Sequence, residues 1–297
     1  MTDVEPDIVI LGHLAKDIIE VDGHSYTSLG GAVYYGGIAG SHMGLKISII
    51  TRLNEEDFQF LEILKKNGVK YYSYPSKETS GLKNIYSSKN MEFREYKPLG
   101  FAGLFNKDEI IDTLRPKFFV IAPILAGEVD LELLDYLKSK YPENLCLDIQ
   151  GFIRFRNDSS VYYSPLSLKE RNKVISNISI LKLDQTEAEV LTKQQNINIA
   201  AKELLHIGPR EILITHEKGI SVFISNESYH FPWKNKNSIG RTGRGDTAFI
   251  SYLGSRLKKN PEESLKFAAA LTSLKLETPG PFDLPLNQVE KLIKEQY

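Results

Sequence analysis

The residues best suited to chemistry lie in a glycine-rich run late in the chain, Gly240-Arg-Thr-Gly-Arg-Gly-Asp246-Thr247. It leads directly into a helical pattern whose apolar residues fall on one face. Gly243 and Gly245 would let the backbone approach a ligand closely. The unpaired amides and the positive dipole end of the following helix favour negative charge. The run therefore predicts a binding site for an anion.

Asp246 lies at the predicted start of that helix, and the local sequence leaves two roles open for it. Aspartate at a helix start is a common N-cap. A carboxylate beside an anion site is unexpected on charge grounds unless it acts as a base. Capping and catalysis are both compatible with the local sequence.

A second segment with carboxylates, residues 181–189, falls where a predicted strand ends and a helix begins. Proteins with α/β folds place ligands at that edge. Asp184 and Glu187 have the spacing of a capping box. The same pair would also suit a hydrated metal ion.

A third segment, residues 29–44, is rich in small residues. It predicts a helix packed tightly against a strand, with Gly30 and Gly31 as its entry turn. The alternative is that these two glycines form a hinge or contact a ligand directly.

Short apolar runs predict the buried strands that would position these segments. They are residues 8–12, 47–51, 118–122, 145–149, 178–183 and 212–215. Helical patterns lie between many of them, for example at 55–67 and 130–140. The alternation predicts an α/β protein with a central, mainly parallel sheet flanked by helices. Two tyrosine-rich stretches, about 13–30 and 71–100, predict a small, half-exposed β-sheet inserted in a single domain, 1–297.

Composition excludes several classes of function. The 297 residues include 37 Lys and Arg against 38 Asp and Glu, which argues against a nucleic-acid partner. A single cysteine excludes a disulfide framework and a cysteine-based zinc site. The Walker A and dinucleotide-binding glycine runs are absent from the sequence. The acidic start predicts neither a signal peptide nor a membrane span, so we expect a cytoplasmic protein with no membrane partner.

In their order along the chain, the motifs resemble those of the ribokinase/PfkB carbohydrate kinases, and the resemblance covers nearly the whole chain. The matching segments are residues 12–17, 30–44, 184–187, 215–219 and 240–247. The resemblance implies a ribokinase-like fold in which the small sheet, about 13–30 and 71–100, is a lid over the acceptor. It also implies transfer of the γ-phosphate of ATP, with Mg²⁺, to a hydroxyl group of a small sugar or polyol.

The same resemblance assigns roles to individual residues. The implied catalytic residues are the general base Asp246 and, in the anion hole, Gly243, Arg244 and Gly245. The implied acceptor-binding residues are Asp17, Gly30, Gly31 and Tyr35. The implied ATP-binding residues are Asp184, Thr215, Gly219, Thr242 and Gly243. Asp184 and Glu187 would hold the magnesium ion, largely through water.

Several residues depart from the pattern of this family. Gly240 replaces an aspartate that in several members helps to hold a monovalent cation, which puts activation by potassium in doubt. Arg244 replaces the alanine of the anion hole and adds positive charge near the nucleotide. Asp184 replaces an asparagine, Glu217 replaces a glycine, and Tyr35 stands where many sugar kinases place an asparagine.

Other polar residues are candidates for the acceptor site. Arg94, Lys97 and Arg154 are the basic residues nearest the predicted lid or sheet edge, and Arg154 is the best placed of them for a phosphorylated acceptor. His13 and His42 are either acceptor contacts or ordinary polar residues.

Two alternative functions stay open at this point. One is a nucleoside kinase of the same fold, in which tyrosines stack on the base. The other is a catalytically silent protein that binds a nucleotide or sugar. Some segments also look closer to inositol kinases than to ribokinase. An exposed lid edge would suit a homodimer.

Overall fold

The computed structural model describes residues 5–297, except for the side chains of residues 92–94. Its strands are β1 (Ile8–Leu11), β2 (Ala15–Val21), β3 (His24–Gly30), β4 (Ile47–Asn54), β5 (Lys70–Ser76), β6 (Gly81–Ser87), β7 (Asn90–Gly100), β8 (Phe118–Ile121), β9 (Leu145–Asp148), β10 (Arg154–Arg156), β11 (Val161–Tyr163), β12 (Ile180–Asp184), β13 (Glu211–His216), β14 (Gly219–Ile224) and β15 (Glu227–Pro232). Its α-helices are α1 (Ala32–His42), α2 (Leu61–Lys66), α3 (Leu131–Lys140), α4 (Gln150–Ile153), α5 (Leu168–Ile175), α6 (Gln185–Thr192), α7 (Ile197–Leu205), α8 (Arg244–Arg256), α9 (Pro261–Leu276) and α10 (Leu286–Gln296). Short 3-10 helices cover Glu55–Phe60 and Lys107–Glu109.

A nine-stranded sheet forms the body, in the order β15-β14-β13-β12-β9-β8-β1-β4-β5. The six predicted strands are confirmed, and they lie side by side as the parallel stretch from β13 to β4. The antiparallel hairpin strands β14 and β15 extend one edge, and β5 extends the other. The prediction of a mainly parallel sheet flanked by helices is therefore confirmed.

Apolar residues cover both faces of this sheet. Along β1, Val9 and Leu11 join the core on one face, while Ile8 and Ile10 join the core on the other. This alternation follows from the two-residue period of a strand. A strand that is buried on both faces reads as a continuous apolar run, which explains why the run at 8–12 predicted it well.

A separate four-stranded sheet has the order β3-β2-β6-β7, and we refer to it as the lid. Of the stretches predicted for the small sheet, residues 15–30 and 81–100 supply its strands, but the prediction is wrong for 71–76. Those residues form most of β5, which pairs in parallel with β4 in the large sheet. Tyr71 packs against one core, while Tyr72 and Tyr74 pack against the other. Half-buried tyrosines on an edge strand thus resemble an exposed lid in sequence.

The small residues of α1 allow close packing against two neighbours. A Cβ atom added to Gly36 would lie 2.5 Å from Ile250 Cγ1 on α8, and one added to Gly40 would lie 2.7 Å from Ile47 Cδ1. The packing interpretation of this segment is confirmed, although α8 is a partner as well as the strand β4. Since Gly36 also faces the Asp246 carbonyl, α1 fixes the position of the first turn of α8.

Across residues 5–297, the helices include none that is long and apolar enough to cross a membrane.

Candidate active site

The glycine-rich run becomes a tight loop followed by α8. Gly243 occupies the N-cap position with a left-handed φ of 83° and makes no side-chain cap bond. A Cβ atom there would lie 2.2 Å from the Tyr35 ring. Both the left-handed backbone and this close contact therefore require glycine. Asp246 lies in the first turn of α8 and is not the N-cap. The N-cap interpretation of Asp246 is therefore wrong, because Gly243 holds that position.

A narrow cavity of 70 Å³ lies at the N-terminus of α8 and brings most of the predicted site together. The predicted residues that line it are Asp17, Gly31, Tyr35, Arg154, Asp184, Glu187, Thr215, Thr242, Gly243, Arg244, Gly245 and Asp246. Two candidate carboxylates, Asp17 and Asp246, thus face one space together with first-turn amides and arginines. This is the arrangement expected of a site that binds both a hydroxyl compound and an anion.

Asp17 is held in place by the lid. Its Oδ1 atom accepts a hydrogen bond from the Leu82 amide of β6, at 2.8 Å. A Cβ atom on Gly30 would lie 2.3 Å from Asp17 Oδ2. Gly30 does not line the cavity, so its effect is to leave room for the Asp17 carboxylate. Gly31 lines the cavity and has a φ of 86°. A Cβ atom on Gly31 would lie 2.6 Å from the His13 carbonyl oxygen, so a larger residue has no room.

Arg154 is buried and lines the cavity, as the sequence predicted. Its Nε donates to the Ile124 carbonyl at 2.8 Å, and its guanidinium lies 5.3 Å from the centre of the Tyr96 ring. Asn84 of the lid and Gln150 of α4 line the same cavity, and sequence analysis missed both. Arginine and two amides give this wall the donors that a polyol needs.

Lys182 lies at the centre of an acidic cluster behind the loop. Its ammonium is 2.8 Å from Asp148 Oδ2 and 3.8 Å from Glu187 Oε2, and all three side chains are buried. Burial alone would lower the pKa of Lys182, but these carboxylates outweigh burial and hold the pKa above its usual value. A Cβ atom on Gly245 would lie 3.0 Å from Lys182 Nζ, so this fixed positive charge sits directly under the anion loop, residues 240–245.

Asp184 and Glu187 form the predicted capping box at the start of α6. Asp184 Oδ1 accepts from the Glu187 amide at 2.8 Å, and Glu187 Oε2 accepts from the Asp184 amide at 2.6 Å. Burial raises the pKa of Glu187, and the neighbouring Asp184 carboxylate adds to that rise. The capping interpretation is confirmed for this pair.

The same pair is the candidate magnesium site. Among the described residues, the structure has no cluster of three or more His, Cys, Asp or Glu residues that would hold a metal directly. Mg²⁺ usually keeps several waters and needs only one or two carboxylates beside the phosphates of its ligand. Asp184 lines the cavity and also a wider cleft beside it, so its carboxylate could hold a magnesium ion that keeps most of its waters. Glu187 is bonded to the Asp184 amide and faces Lys182, which suits it to orienting Asp184.

A wider cleft of 650 Å³ adjoins the cavity and is the candidate donor site. Thr215, Arg241 and Arg244 line both spaces. The Arg244 guanidinium lies 5.7 Å from the centre of the Trp233 ring. His216 stacks on His230 at the edge of this cleft, and burial lowers the pKa of His216 to about 4. The His216 ring is therefore neutral at physiological pH.

Some predicted residues line neither the cavity nor the wider cleft. Gly219 lines neither space; it begins β14, where a Cβ atom would lie 2.3 Å from the Phe231 carbonyl. His13 is fully buried with its Nδ1 atom 2.7 Å from Ser80 Oγ, and His42 hydrogen bonds to Asn67. Both histidines are outside the two spaces, as is Lys97.

The proposed role of Arg94 concerns a side chain that lies outside the described residues.

Other site residues had little signal in the sequence. Lys182 stands two positions before Asp184 inside an apolar strand, and an interrupting lysine there was a usable clue. Arg241 lies within the glycine-rich run itself. Asn84 and Gln150 come from segments whose meeting depends on tertiary structure alone.

Fold and cavity together define a class of protein, an α/β phosphotransferase of the ribokinase type. The family model described as pfkB family carbohydrate kinase matches residues 38–287. The chain belongs to this family, so it is a kinase of the sugar and polyol class, with a hydroxyl group as phosphoryl acceptor. No curated protein sequence matched the chain.

Solved structures agree with this assignment. A pyrophosphate-dependent kinase in the ribokinase family, complexed with a pyrophosphate analogue and myo-inositol, is 30% identical with a TM-score of 0.87, and the alignment covers 96% of this chain and 99% of that one. A second structure, from the conversion of a pyrophosphate-dependent myo-inositol-1 kinase into a myo-inositol-3 kinase, is 29% identical with a TM-score of 0.87, and covers 96% and 98%. Arabidopsis thaliana ribokinase, complexed with ribose and ATP, is 20% identical with a TM-score of 0.74, covers 98% and 99%, and shows the shared fold.

Proposed function

We propose that this protein transfers the terminal phosphoryl group of a phosphate donor to a hydroxyl group of a small polyol. The observation that carries the proposal is the shared cavity in which Asp17 and Asp246 face the N-terminus of α8. Residues 1–297 would act as one kinase domain. The four-stranded sheet would close over the acceptor and exclude water, which otherwise competes as the nucleophile.

Asp246 would act as the general base. Its carboxylate would accept the proton of the acceptor hydroxyl as that oxygen attacks the terminal phosphorus and the bond to the leaving phosphate breaks. The amides around Gly243 and Gly245 would stabilise the charge on the transferred group. The Arg244 amide contributes less, since it already donates to the Arg241 carbonyl at 3.3 Å.

Asp184 would hold a hydrated magnesium ion, with Glu187 orienting it, and the chemistry of this ion is to neutralise charge on the donor phosphates. Lys182 and Arg244 would supply fixed positive charge from the protein. Arg241 would extend that charge into the wider cleft, which it also lines.

A polyol acceptor suits the polar lining of the cavity. Asp17, Asn84 and Arg154 offer both acceptors and donors for several hydroxyl groups. Tyr35 also lines this space, but it is 2% exposed and packed under Gly243, so it would shape the site more than bind the acceptor. The similarity to a kinase solved with myo-inositol supports an inositol-like acceptor. A nucleoside acceptor and a silent binding protein stay as the alternatives that assays must exclude.

ATP is the donor that the family resemblance implies, with Thr215 and Thr242 among its contacts. Inorganic pyrophosphate is a second candidate, because the chain is 29–30% identical to kinases that depend on pyrophosphate. Arg241 and Arg244 line the wider cleft and would bind the phosphates of either donor.

The test is a matrix of donors and acceptors followed by phosphorus NMR. ATP and pyrophosphate, each with Mg²⁺, would be combined with myo-inositol, ribose, fructose, fructose 6-phosphate, adenosine and cytidine. We expect a phosphate monoester of one polyol, formed by wild type and lost in Asp246→Asn. Turnover on adenosine or cytidine alone would replace the polyol proposal by the nucleoside one. Donor binding without turnover on any acceptor would favour the silent protein.

The homodimer through the lid stays a prediction, and sedimentation of the purified protein would test it.

A further inference from the structure

A buried lysine lies behind the anion loop and has no role in the chemistry proposed above. Lys275 is in the last turn of α9 and is 1% exposed. Its ammonium donates to the backbone carbonyls of Gly240 and Thr242. It also lies 4.9 Å from the centre of the Tyr35 ring. Backbone carbonyls and an aromatic face thus surround a positive charge, which is the environment that also binds alkali cations.

The loop is fitted closely around this ammonium. The Gly240 amide donates to the Leu276 carbonyl at 2.8 Å. A Cβ atom on Gly240 would lie 2.0 Å from the Thr278 carbonyl oxygen and 2.7 Å from that of Lys275. A side chain at position 240 therefore has no room. The C-terminal carbonyls of α9 add negative potential at the same place, which favours a cation there.

The ammonium also sets the direction of one amide in the site. Carbonyl and amide of one trans peptide point in opposite directions. Because the Thr242 carbonyl points to Lys275, the Gly243 amide of the same peptide turns away from it, and Gly243 lines the cavity. Losing the positive charge would free this peptide to rotate, and the anion would lose a fixed donor.

We propose that the Lys275 ammonium is a built-in monovalent cation that holds the anion loop, so that the protein needs no bound alkali ion. Lys275 is a positioning residue, since it acts through the loop. The turnover measurements on Lys275 variants rest on the proposed phosphoryl transfer. The measurement of thermal unfolding does not, so the two proposals can fail separately.

The test compares wild type with Lys275→Ala at about pH 6, where the Lys275 side chain carries its charge. The buffers contain chloride salts of K⁺, NH₄⁺, methylammonium or N-methylglucamine. We expect wild-type turnover to be the same in all four salts within about twofold. Lys275→Ala should lose roughly 10²-fold in kcat in N-methylglucamine, the size of effect seen when one oxyanion donor is lost. Small cations that fit the vacated space, such as K⁺ and methylammonium, should restore about tenfold or more of that loss.

Lys138→Ala is the matched control. Lys138 is also buried, its ammonium also donates to a backbone carbonyl, that of Lys173, and it lines neither the cavity nor the wider cleft. We expect Lys138→Ala to lose stability without any response to the choice of cation. Recovery of turnover by added cations in Lys275→Ala, but not in Lys138→Ala, would therefore show that it is not a general result of removing a buried lysine.

Thermal unfolding gives a readout without turnover. K⁺ should raise the Tm of Lys275→Ala by at least about 3 °C over N-methylglucamine, because a cation that binds only the folded state stabilises it. Wild type should show no such shift. Activation of wild type by K⁺ of more than about fivefold, or a Lys275→Ala variant that responds to no cation in either assay, would overturn the proposal. If Lys275→Ala does not fold, activation of wild type by K⁺ would still overturn the proposal.

Discussion

The hydroxyl group of Tyr86 in the lid lies 3.0 Å from Thr242 Oγ1 in the anion loop. Tyr86 is 3% exposed and belongs to β6, the strand whose Leu82 amide donates to Asp17. One strand of the lid therefore contacts both Asp17 and the anion loop. We infer that this strand couples the position of the lid to the geometry of the loop.

Removing the Tyr86 hydroxyl tests that coupling. A neutral hydrogen bond contributes modestly, so Tyr86→Phe should lower kcat by about three- to tenfold with little loss of stability. Thr242→Val should have a similar effect, and the double variant should be no worse than either single one, because both remove the same bond. Tyr162→Phe, on the short strand β11, is the control; Tyr162 is 46% exposed and lines neither space, so this change should leave kcat unchanged. Additive effects in the double variant would exclude the coupling.

The sequence predicts this fold well where one segment carries all the information. Continuous apolar runs identified the six central strands, since such strands are buried on both faces. The anion loop was equally clear, because glycines, a helix start and Asp246 fall within eight residues. The misplaced residues 71–76 show the limit, since an edge strand with half-buried tyrosines has the same local pattern as a lid strand.

The site was less predictable wherever distant segments meet. Lys275 is 35 positions from Gly240, and it looks like an ordinary last-turn helix lysine in the sequence. Asn84 and Gln150 reach the cavity from separate elements. Gly219 was predicted for the donor site because it matches a family motif, but the hairpin contact with Phe231 explains that glycine in this chain.

Asp246→Asn tests the general base. The amide keeps the shape of the side chain but accepts no proton, so kcat should fall by roughly 10²-fold or more while the fold and donor affinity persist. Turnover would be followed as phosphate ester formation, and the fold by circular dichroism. Glu262→Gln is the matched control, since it removes a carboxylate from the first turn of α9. Turnover of Asp246→Asn at the wild-type rate would remove Asp246 from the mechanism.

Arg244→Ala tests the donor side. Arg244 is 4% exposed and lines the wider cleft as well as the cavity, so its loss should raise the donor KM by about tenfold or more and raise the acceptor KM by less. Steady-state kinetics with each substrate varied in turn separate the two constants. Arg210→Ala, which removes a surface arginine paired with Glu143, should leave both constants unchanged. An equal rise in both constants would indicate a general distortion of the site.

The final prediction concerns pH and follows from the position of Lys275. Burial, together with the nearby charge of Arg241, lowers the pKa of Lys275 from 10.5 to about 7, although Asp246 opposes this change. The neighbouring Tyr35 hydroxyl stays neutral here, because burial raises its pKa. The ammonium therefore loses its charge as the pH rises through about 7. We expect the wild-type kcat to fall over that range.

Stability should change in the opposite direction. Between about pH 7 and 10 the unfolded chain holds a proton on Lys275 that the folded chain lacks, so this group makes the free energy of unfolding rise with pH. In Lys275→Ala with saturating K⁺, both effects should disappear, because K⁺ carries no proton. Glu187, whose pKa is also raised, is present in both proteins, so the difference between their pH profiles isolates Lys275. Measurements of kcat and of urea unfolding between about pH 6 and 10 give both dependences on pH. If Lys275→Ala with bound K⁺ has the same pH profiles as wild type, Lys275 does not titrate in the loop.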